Sequence, residues 1–390
     1  MKKIITFLFL SFILIFFVNE YSGTRDSGIS VADEETRNEK ITSDESSNNI
    51  TKNSVDNEKN EEDIRDDSAR EKLIDEDKIK KSNEKKADVN DLSWPKEAVT
   101  VQIMSSIDSA QQGAYFVKSE EKRPLIISLH QWSASFERYD PLVTFAIDHK
   151  WNYIRPNFRG PNKTPKAGGS KFAVTDIDDA IDYALENGNV DPEHIHIVGA
   201  SGGGHAALQH FMTSTKDVAS YSAWVPITDL VAWYGESKVR ENNYSKDILK
   251  ITQSQNNKLN LEEARKRSPL HQTTPIKKAS NTIIQLYAGI NDGYKGSVPI
   301  SHTIRFYNKL VRDLNYDKNY LVSPEAFSEL VYTQSVSEKF TPTFLFDERD
   351  IIYSKGINNL SLTIFDGDHE ILPNEAFNSL LKNYDLTQDS

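Results

Sequence analysis

Ile195-His196-Ile197-Val198-Gly199-Ala200-Ser201-Gly202-Gly203-Gly204-His205 is the stretch whose reading decides the fold. Its first four residues, apolar and β-branched except for His196, read as a buried strand, and Gly203 through Met212 reads as a helix. Between them stands G-x-S-x-G, as Gly199, Ser201 and Gly203. A serine in so sharp a strand-to-helix turn sits at strained backbone angles, with its hydroxyl projecting above the sheet. Small residues are required two before and two after it, because the strand and helix backbones nearly touch there. The plainer alternative is a tight turn with a capping serine. A base and an orienting carboxylate elsewhere in the chain would separate the two.

The flanking chain alternates strands with helices. Val99, Val101 and Ile103 alternate with polar residues, and Ala114-Tyr115-Phe116-Val117 pairs with them as a hairpin. Leu125-Ile126-Ile127-Ser128-Leu129 suits a central strand buried on both faces, and Asn152-Tyr153-Ile154 a shorter one. From Val174 to Leu185, apolar side chains at 177, 180, 181, 184 and 185 mark one face of a helix that Gly188 stops. Strands follow at Val218–Val225, Ile283–Tyr287 and Leu362–Phe365, with a helix-like stretch at 299–312. This alternation implies an α/β fold: a mostly parallel sheet with helices on both faces.

A hydroxyl nucleophile needs a base, and the base needs a carboxylate, here in the chain order Ser, Asp or Glu, His. Asp292 ends the strand Ile283–Tyr287 in Ala288-Gly289-Ile290-Asn291-Asp292-Gly293, and His369 follows Leu362–Phe365 in Asp366-Gly367-Asp368-His369-Glu370. Both sit on loops at the carboxyl ends of parallel strands, the edge where Ser201 also lies. Asp366 and Asp368 rival Asp292, although sequence neighbours orient their own histidine poorly. Acyl transfer further needs donors aimed at the developing oxyanion. The expected donors are the backbone N–H of Gly202, at a helix N-terminus, and that of Gln131 or Trp132 after the strand ending at Leu129. His130 is a candidate substrate contact or a loop-shaping residue, and Trp224 and Trp233 are candidate pocket walls whose alternative is core packing. His194 and His196 alternate on one strand without a carboxylate at usable spacing, so no metal site is expected. His205 lies four residues past Ser201 on the same helix and cannot easily swing to its hydroxyl. Arg159 is read as a loop anchor through ion pairs.

These pieces together resemble the catalytic domain of the prolyl oligopeptidase family of α/β-hydrolases, over residues ~97–385. Leu129-His130-Gln131-Trp132 stands where that family carries its His-Gly-Gly-type oxyanion loop. Pro156-Asn157-Phe158-Arg159-Gly160 resembles its Asn-Tyr-Arg-Gly segment, with Asp176 to Leu185 as the following helix. Arg267-Ser268-Pro269-Leu270 and Asp292 with Val298-Pro299 also match, and Gly367-Asp368-His369-Glu370 replaces Gly-Gly-His-Glu. The resemblance implies an α/β-hydrolase fold and a serine peptidase with Ser201, Asp292 and His369 as its triad, working without a cofactor. The departures are the missing glycine pair in the oxyanion loop and an excess of chain at roughly 315–355. That insertion, with Phe344-Leu345-Phe346 and Ile351-Ile352-Tyr353, is expected to form a hairpin beside the site.

Composition divides the rest. Residues 22–93 contain no Phe, Trp or Tyr, and their acidic residues outnumber the basic ones by 21 to 13, so that stretch carries most of the formal charge of −12. It lacks the apolar surface to offset the entropy of ordering and reads as a disordered linker over 23–92. Met1-Lys2-Lys3 followed by the apolar run Ile4–Val18 makes 1–22 a signal peptide or N-terminal anchor, since about 22 Å of helix falls short of a ~30 Å hydrocarbon core. Residues 93–390 then form the catalytic domain, placed outside the cytoplasm, secreted or held at the surface by its leader. The acidic balance argues against nucleic acid and anionic membrane surfaces as partners, and the absence of cysteine excludes thiolate chemistry and disulfides. The expected substrate is a peptide or a small ester. Serine peptidase is the first reading, a carboxylesterase acting on acylated carbohydrate or small esters the second, and an inactive surface binding protein on a hydrolase scaffold the third.

Overall fold

The structure, a computed structural model, describes residues 93–342, 346 and 349–388. The leader at 1–22, the linker at 23–92 and Phe344-Leu345 lie outside the described residues. Among the described residues, nine strands form one sheet in the order β1-β2-β4-β3-β5-β6-β7-β9-β8. They are β1 (Val99–Met104), β2 (Gln111–Val117), β3 (Arg123–Leu129), β4 (Asn152–Pro156), β5 (Val190–Ala200), β6 (Ser220–Trp224), β7 (Ile283–Gly289), β8 (Ile351–Ile357) and β9 (Leu360–Phe365). From β4 through β3, β5, β6 and β7 to β9 every pairing is parallel, and the outer pairings β1–β2, β2–β4 and β8–β9 are antiparallel. Every residue of β4 and β6 is buried, which a sheet permits only when both of its faces are covered.

The helices are α1 (Leu142–Asp148), α2 (Lys171–Asn187), α3 (Gly202–Thr213), α4 (Leu230–Val239), α5 (Tyr244–Ile251), α6 (Leu261–Lys266), α7 (Ile276–Asn281), α8 (Ser301–Asp313), α9 (Pro324–Ser328) and α10 (Pro373–Gln388). Helix α2 starts where Ser170 accepts a hydrogen bond from the Ala173 N–H. It ends at Gly188, where an added Cβ would stand 2.7 Å from the Ala184 carbonyl oxygen. Helix α3 is buried from Gly202 to Met212, so its polar members His205, Gln209 and His210 must find partners inside the protein.

Two features depart from the expected pattern. Strand β5 begins at Val190, five residues before the apolar run. Val190 pairs with Arg123, the register then shifts, and Ile195 pairs with Leu125, so the segment around Pro192 bulges from the ladder. The end of the insertion does form a hairpin, but its partner is β9, the strand that leads to His369. A separate apolar cluster of Trp132, Ile227, Leu230, Trp233, Ile248, Ile251, Ala264 and Val298 lies under α4, α5 and α6. Those three helices follow β6 and gather beside the carboxyl edge of the sheet.

Candidate active site

Ser201 occupies the turn between β5 and α3 at φ 57° and ψ −116°, a left-handed conformation that costs a non-glycine residue about 1–3 kcal/mol. Its N–H donates to the Trp224 carbonyl at 2.8 Å, and its own carbonyl accepts from His205 N at 2.8 Å. The glycines around it are obligatory for space. A Cβ on Gly199 would stand 2.9 Å from Gly204 N and nearer still to the Gly203 carbonyl carbon, and one on Gly203 would press on the Leu129 carbonyl. The residue is 7% exposed.

Asp292 follows β7 and His369 follows β9. His369 Nδ1 lies 2.6 Å from Asp292 Oδ2, so that ring nitrogen carries the proton and Nε2 is left as the basic atom. The other carboxylate oxygen of Asp292 accepts from Gly293 N at 2.9 Å and Val298 N at 3.1 Å. The Asp292 side chain is buried and that of His369 is one-fifth exposed. The rival carboxylates face elsewhere: Asp366 is exposed, and Asp368 reaches toward Lys295 at 3.7 Å. Gly296 closes over the pair; an added Cβ would stand 2.5 Å from His369 Cβ and nearer still to Asp292 Oδ1. Among the described residues, Ser201 Oγ makes no hydrogen bond to His369. The structure therefore pairs Asp292 with His369 and places Ser201 on the same sheet edge.

The loop after β3 meets Ser201 from the other side. A Cβ on Gly202 would stand 2.5 Å from Trp132 Cα and nearer still to Trp132 N, so the two backbones are in contact. Neither the Gly202 N–H nor the Trp132 N–H has a hydrogen-bond acceptor among the described residues. The Gln131 carbonyl accepts from Ala134 N at 3.1 Å, which turns the Trp132 N–H of the same peptide unit to the opposite side. Of the two expected loop donors, Trp132 is the one that abuts Gly202. The Gln131 side chain is engaged by Arg138 at 2.9 Å.

The expected substrate contacts are corrected by burial. His130 is fully buried, stacked on Phe158 at 4.0 Å, with Nε2 donating to the Asn157 carbonyl at 2.8 Å. Its Nδ1 faces the Gln131 carbonyl at 3.0 Å, and burial pushes its pKa down to about 4; held between two backbone carbonyls, the ring shapes the loop. Trp224 is inaccessible, stacked on Tyr287 at 4.1 Å, and Trp233 is inaccessible too, its indole N–H donating to the Ser297 carbonyl at 2.9 Å. Both are core residues and offer substrate no surface. His194 has a carboxylate partner after all, Asp191 at 2.8 Å, brought under it by the bulge in β5. His205 is fixed on the Ile227 carbonyl at 2.9 Å, away from the hydroxyl. Arg159 is the anchor expected of it, bound to Asp176 at 2.7 Å and Asp108 at 2.8 Å. A cavity of about 670 Å³ lined by Ser170, Phe172, Gln209 and Arg267 among others contains none of Ser201, Asp292 and His369; chemistry, not the cavity, locates the site. Sequence reasoning missed Gly296, whose only outward sign is the lengthened interval between Asp292 and Val298.

Fold and site together are those of a mostly parallel α/β sheet that carries a strained serine and a paired carboxylate and histidine at its carboxyl edge. Residues 168–326 match the model of the prolyl oligopeptidase family, so the family resemblance holds over a span that contains Ser201 and Asp292 and stops before His369. No curated protein matches the chain. Among solved structures it is similar to acylaminoacyl peptidase from Pyrococcus horikoshii, at 20% identity and a TM-score of 0.45, covering 57% of this chain and 36% of that one. Prolyl oligopeptidase B from Galerina marginata shows 16% identity and a TM-score of 0.46, with 56% and 31% covered. A Mycobacterium tuberculosis puromycin-hydrolyzing peptidase shows 18% and 0.44, with 55% and 34% covered. The chain thus spans about a third of the length of each of these proteins.

Proposed function

We propose that the protein is an exported serine peptidase that works through an acyl-enzyme, with Ser201 as nucleophile, His369 as base and Asp292 as orienting carboxylate. The observation that carries this reading is the Asp292–His369 hydrogen bond of 2.6 Å, formed at the sheet edge where Ser201 sits strained in its turn. In the proposed reaction Ser201 Oγ attacks the scissile carbonyl carbon as His369 Nε2 takes the hydroxyl proton. Asp292 stabilises the imidazolium through Nδ1. The carbonyl oxygen becomes an oxyanion between the Gly202 and Trp132 N–H groups, each such donor lowering the barrier by about 3–4 kcal/mol. His369 then passes its proton to the leaving amine as the C–N bond breaks. Water, deprotonated by the same nitrogen, releases the acid product and restores Ser201. The Ser201–His369 hydrogen bond forms in this scheme when substrate binds, since catalytic hydrogen bonds commonly tighten only in the loaded enzyme.

The domain division at 22 and 92 and the extracytoplasmic location belong to the same proposal and rest on the apolar leader and acidic linker. Labelling with a fluorophosphonate tests the nucleophile: the wild-type chain should be modified and Ser201→Ala should not. Absence of labelling in the wild type would favour the inactive binding protein. Parallel assays on aminoacyl anilides and short acyl nitrophenyl esters then separate the peptidase from the carboxylesterase reading. Hydrolysis of esters alone would overturn the peptide assignment.

A further inference from the structure

The acid loop and the histidine loop are joined by two backbone hydrogen bonds, Ile290 N to Phe365 O at 2.9 Å and Asn291 N to Gly367 O at 3.0 Å. Between them in sequence lies the insertion, and it returns to grip both. Its middle, α9 followed by a π-helical turn at Glu329–Thr333, is rooted in the core by the fully buried Leu330. At the end of that turn Gln334 adopts a left-handed conformation, φ 53°, and its Nε2 donates to Asn291 Oδ1 at 2.7 Å. Glu329 closes the turn behind it by accepting from the Ser337 N–H and hydroxyl, both at 2.7 Å. From the acid loop, the Tyr294 hydroxyl donates to the Val331 carbonyl at 2.6 Å. On the other side, Asp366 N donates to the Asp350 carbonyl at 2.8 Å, and Arg349 approaches Glu370 at 3.7 Å. Asn291 immediately precedes Asp292, and Glu370 immediately follows His369.

We infer that the described parts of the insertion that make these contacts, 324–337 with 349 and 350, act as a clasp that holds Asp292 and His369 in register, with Gln334 and Tyr294 as positioning residues. The consequence for catalysis rests on the hydrolase reading above; the effect on the acid–base pair does not. Loops at strand ends are the mobile part of such a fold, and a displacement of about 1 Å in a catalytic group costs on the order of 10²-fold in rate. A segment bonded to the residues flanking both partners removes that freedom. A π-helical turn at this position, with a strained residue at its end, is the kind of local cost that persists where geometry is exploited.

The test compares Gln334→Ala, Gln334→Glu and Tyr294→Phe in the full chain. Gln334→Glu keeps size and packing but removes the donor, and Tyr294→Phe leaves a largely exposed ring in place, so both retain the fold. Two readouts are taken: the ring resonances of His369 in protein labelled with 15N-histidine, assigned by their loss in His369→Ala, and the second-order rate of fluorophosphonate labelling. All three variants should shift and broaden the His369 resonances, and labelling should slow by about tenfold. Gln334→Ala and Tyr294→Phe both indistinguishable from wild type in the His369 resonances would overturn the clasp. A wild type that is not labelled, with variants that still move His369, would uphold the clasp and sink the hydrolase reading. A labelled wild type with unmoved resonances in every variant would do the reverse.

Discussion

Replacing Gly296 by alanine puts one methyl group against the acid–base pair. The backbone at Gly296 is not left-handed, so alanine meets no conformational penalty there, only the clash. Its Cβ would lie 2.5 Å from His369 Cβ, where ordinary contact begins near 3.4 Å, and it would lie closer to Asp292 Oδ1. Asp292 cannot turn aside, because that same oxygen accepts from Gly293 N and Val298 N on either side of residue 296. The loop must therefore move by about 1 Å relative to His369, which stretches the 2.6 Å bond beyond hydrogen-bonding range. The expected loss is about 10²-fold in the rate of fluorophosphonate labelling, with about 1.5–3 kcal/mol of stability lost with the bond to a charged group. Gly235→Ala is the matched control: that glycine is exposed within α4 and an added Cβ meets nothing within 4 Å. It should gain up to about 1 kcal/mol from helix propensity and label normally. If Gly296→Ala labels within about twofold of wild type, the steric reasoning and the role assigned to the pair are both wrong.

Asp292→Asn should slow labelling by about 10³–10⁴-fold, through loss of the correct imidazole tautomer, whereas Asp366→Asn should leave it unchanged; the reverse result would transfer the carboxylate role to Asp366. Gly203→Ala drives a methyl into the Leu129 carbonyl, a backbone atom that cannot rotate away, and should lower the melting temperature as well as labelling, since strand and helix must part; a normal melt would contradict the close approach. Stability should also fall with acid. Burial holds His196 and His205 neutral, with pKa values pushed to about 3 and 4, while the unfolded chain takes up these protons near pH 6.5. Stability is then whole above pH 6.5 and lost as pH drops toward 4, by about 1.4 kcal/mol per pH unit for each histidine. Thermal melts from pH 7 to 4.5 measure this, His196→Asn should flatten the fall, and a midpoint unchanged between pH 7 and 5 would refute it.

What could be read in the sequence was local, or repeated with a period. The elbow declares itself because glycine spacing, strand and helix all occur within eleven residues, Ile195 to His205. Asp292 and His369 were legible through their place after apolar strands. Which amide of the 130–132 loop faces Ser201 was not, because the Gln131 carbonyl is oriented by Ala134, a contact that no pattern encodes. Trp224 and Trp233 read equally as pocket wall or core, since an aromatic residue near a strand end satisfies both; only burial separates them. Asp191 escaped as a partner for His194 because a strict strand puts residues three apart on opposite faces, and the bulge at Pro192 breaks that alternation. The grip of Gln334 on Asn291 spans 43 residues and arises from a π-helical turn that leaves no periodic trace.

Backbone, more than side chain, carries the three functional loops toward one another. Past the strand ends, the ladder of hydrogen bonds continues: Ser201 N to Trp224 O at 2.8 Å, Val225 N to Tyr287 O at 2.7 Å, Ile290 N to Phe365 O at 2.9 Å, and Asn291 N to Gly367 O at 3.0 Å. Each bond ties the loop after one strand to the next strand or loop across the sheet. Val225 takes its place in that ladder at φ 43°, an unfavourable conformation for a β-branched residue. Strain at Ser201 and at Val225 therefore falls on the two residues that turn away from β5 and β6 while still donating to the neighbouring strand. Such conformations persist only where surrounding bonds over-determine them, and here those bonds set the spacing between the loops of residues 201, 292 and 369. The acid–base pair can then be complete before any substrate arrives. In the proposed mechanism, what substrate binding adds is the hydrogen bond between His369 Nε2 and the Ser201 hydroxyl.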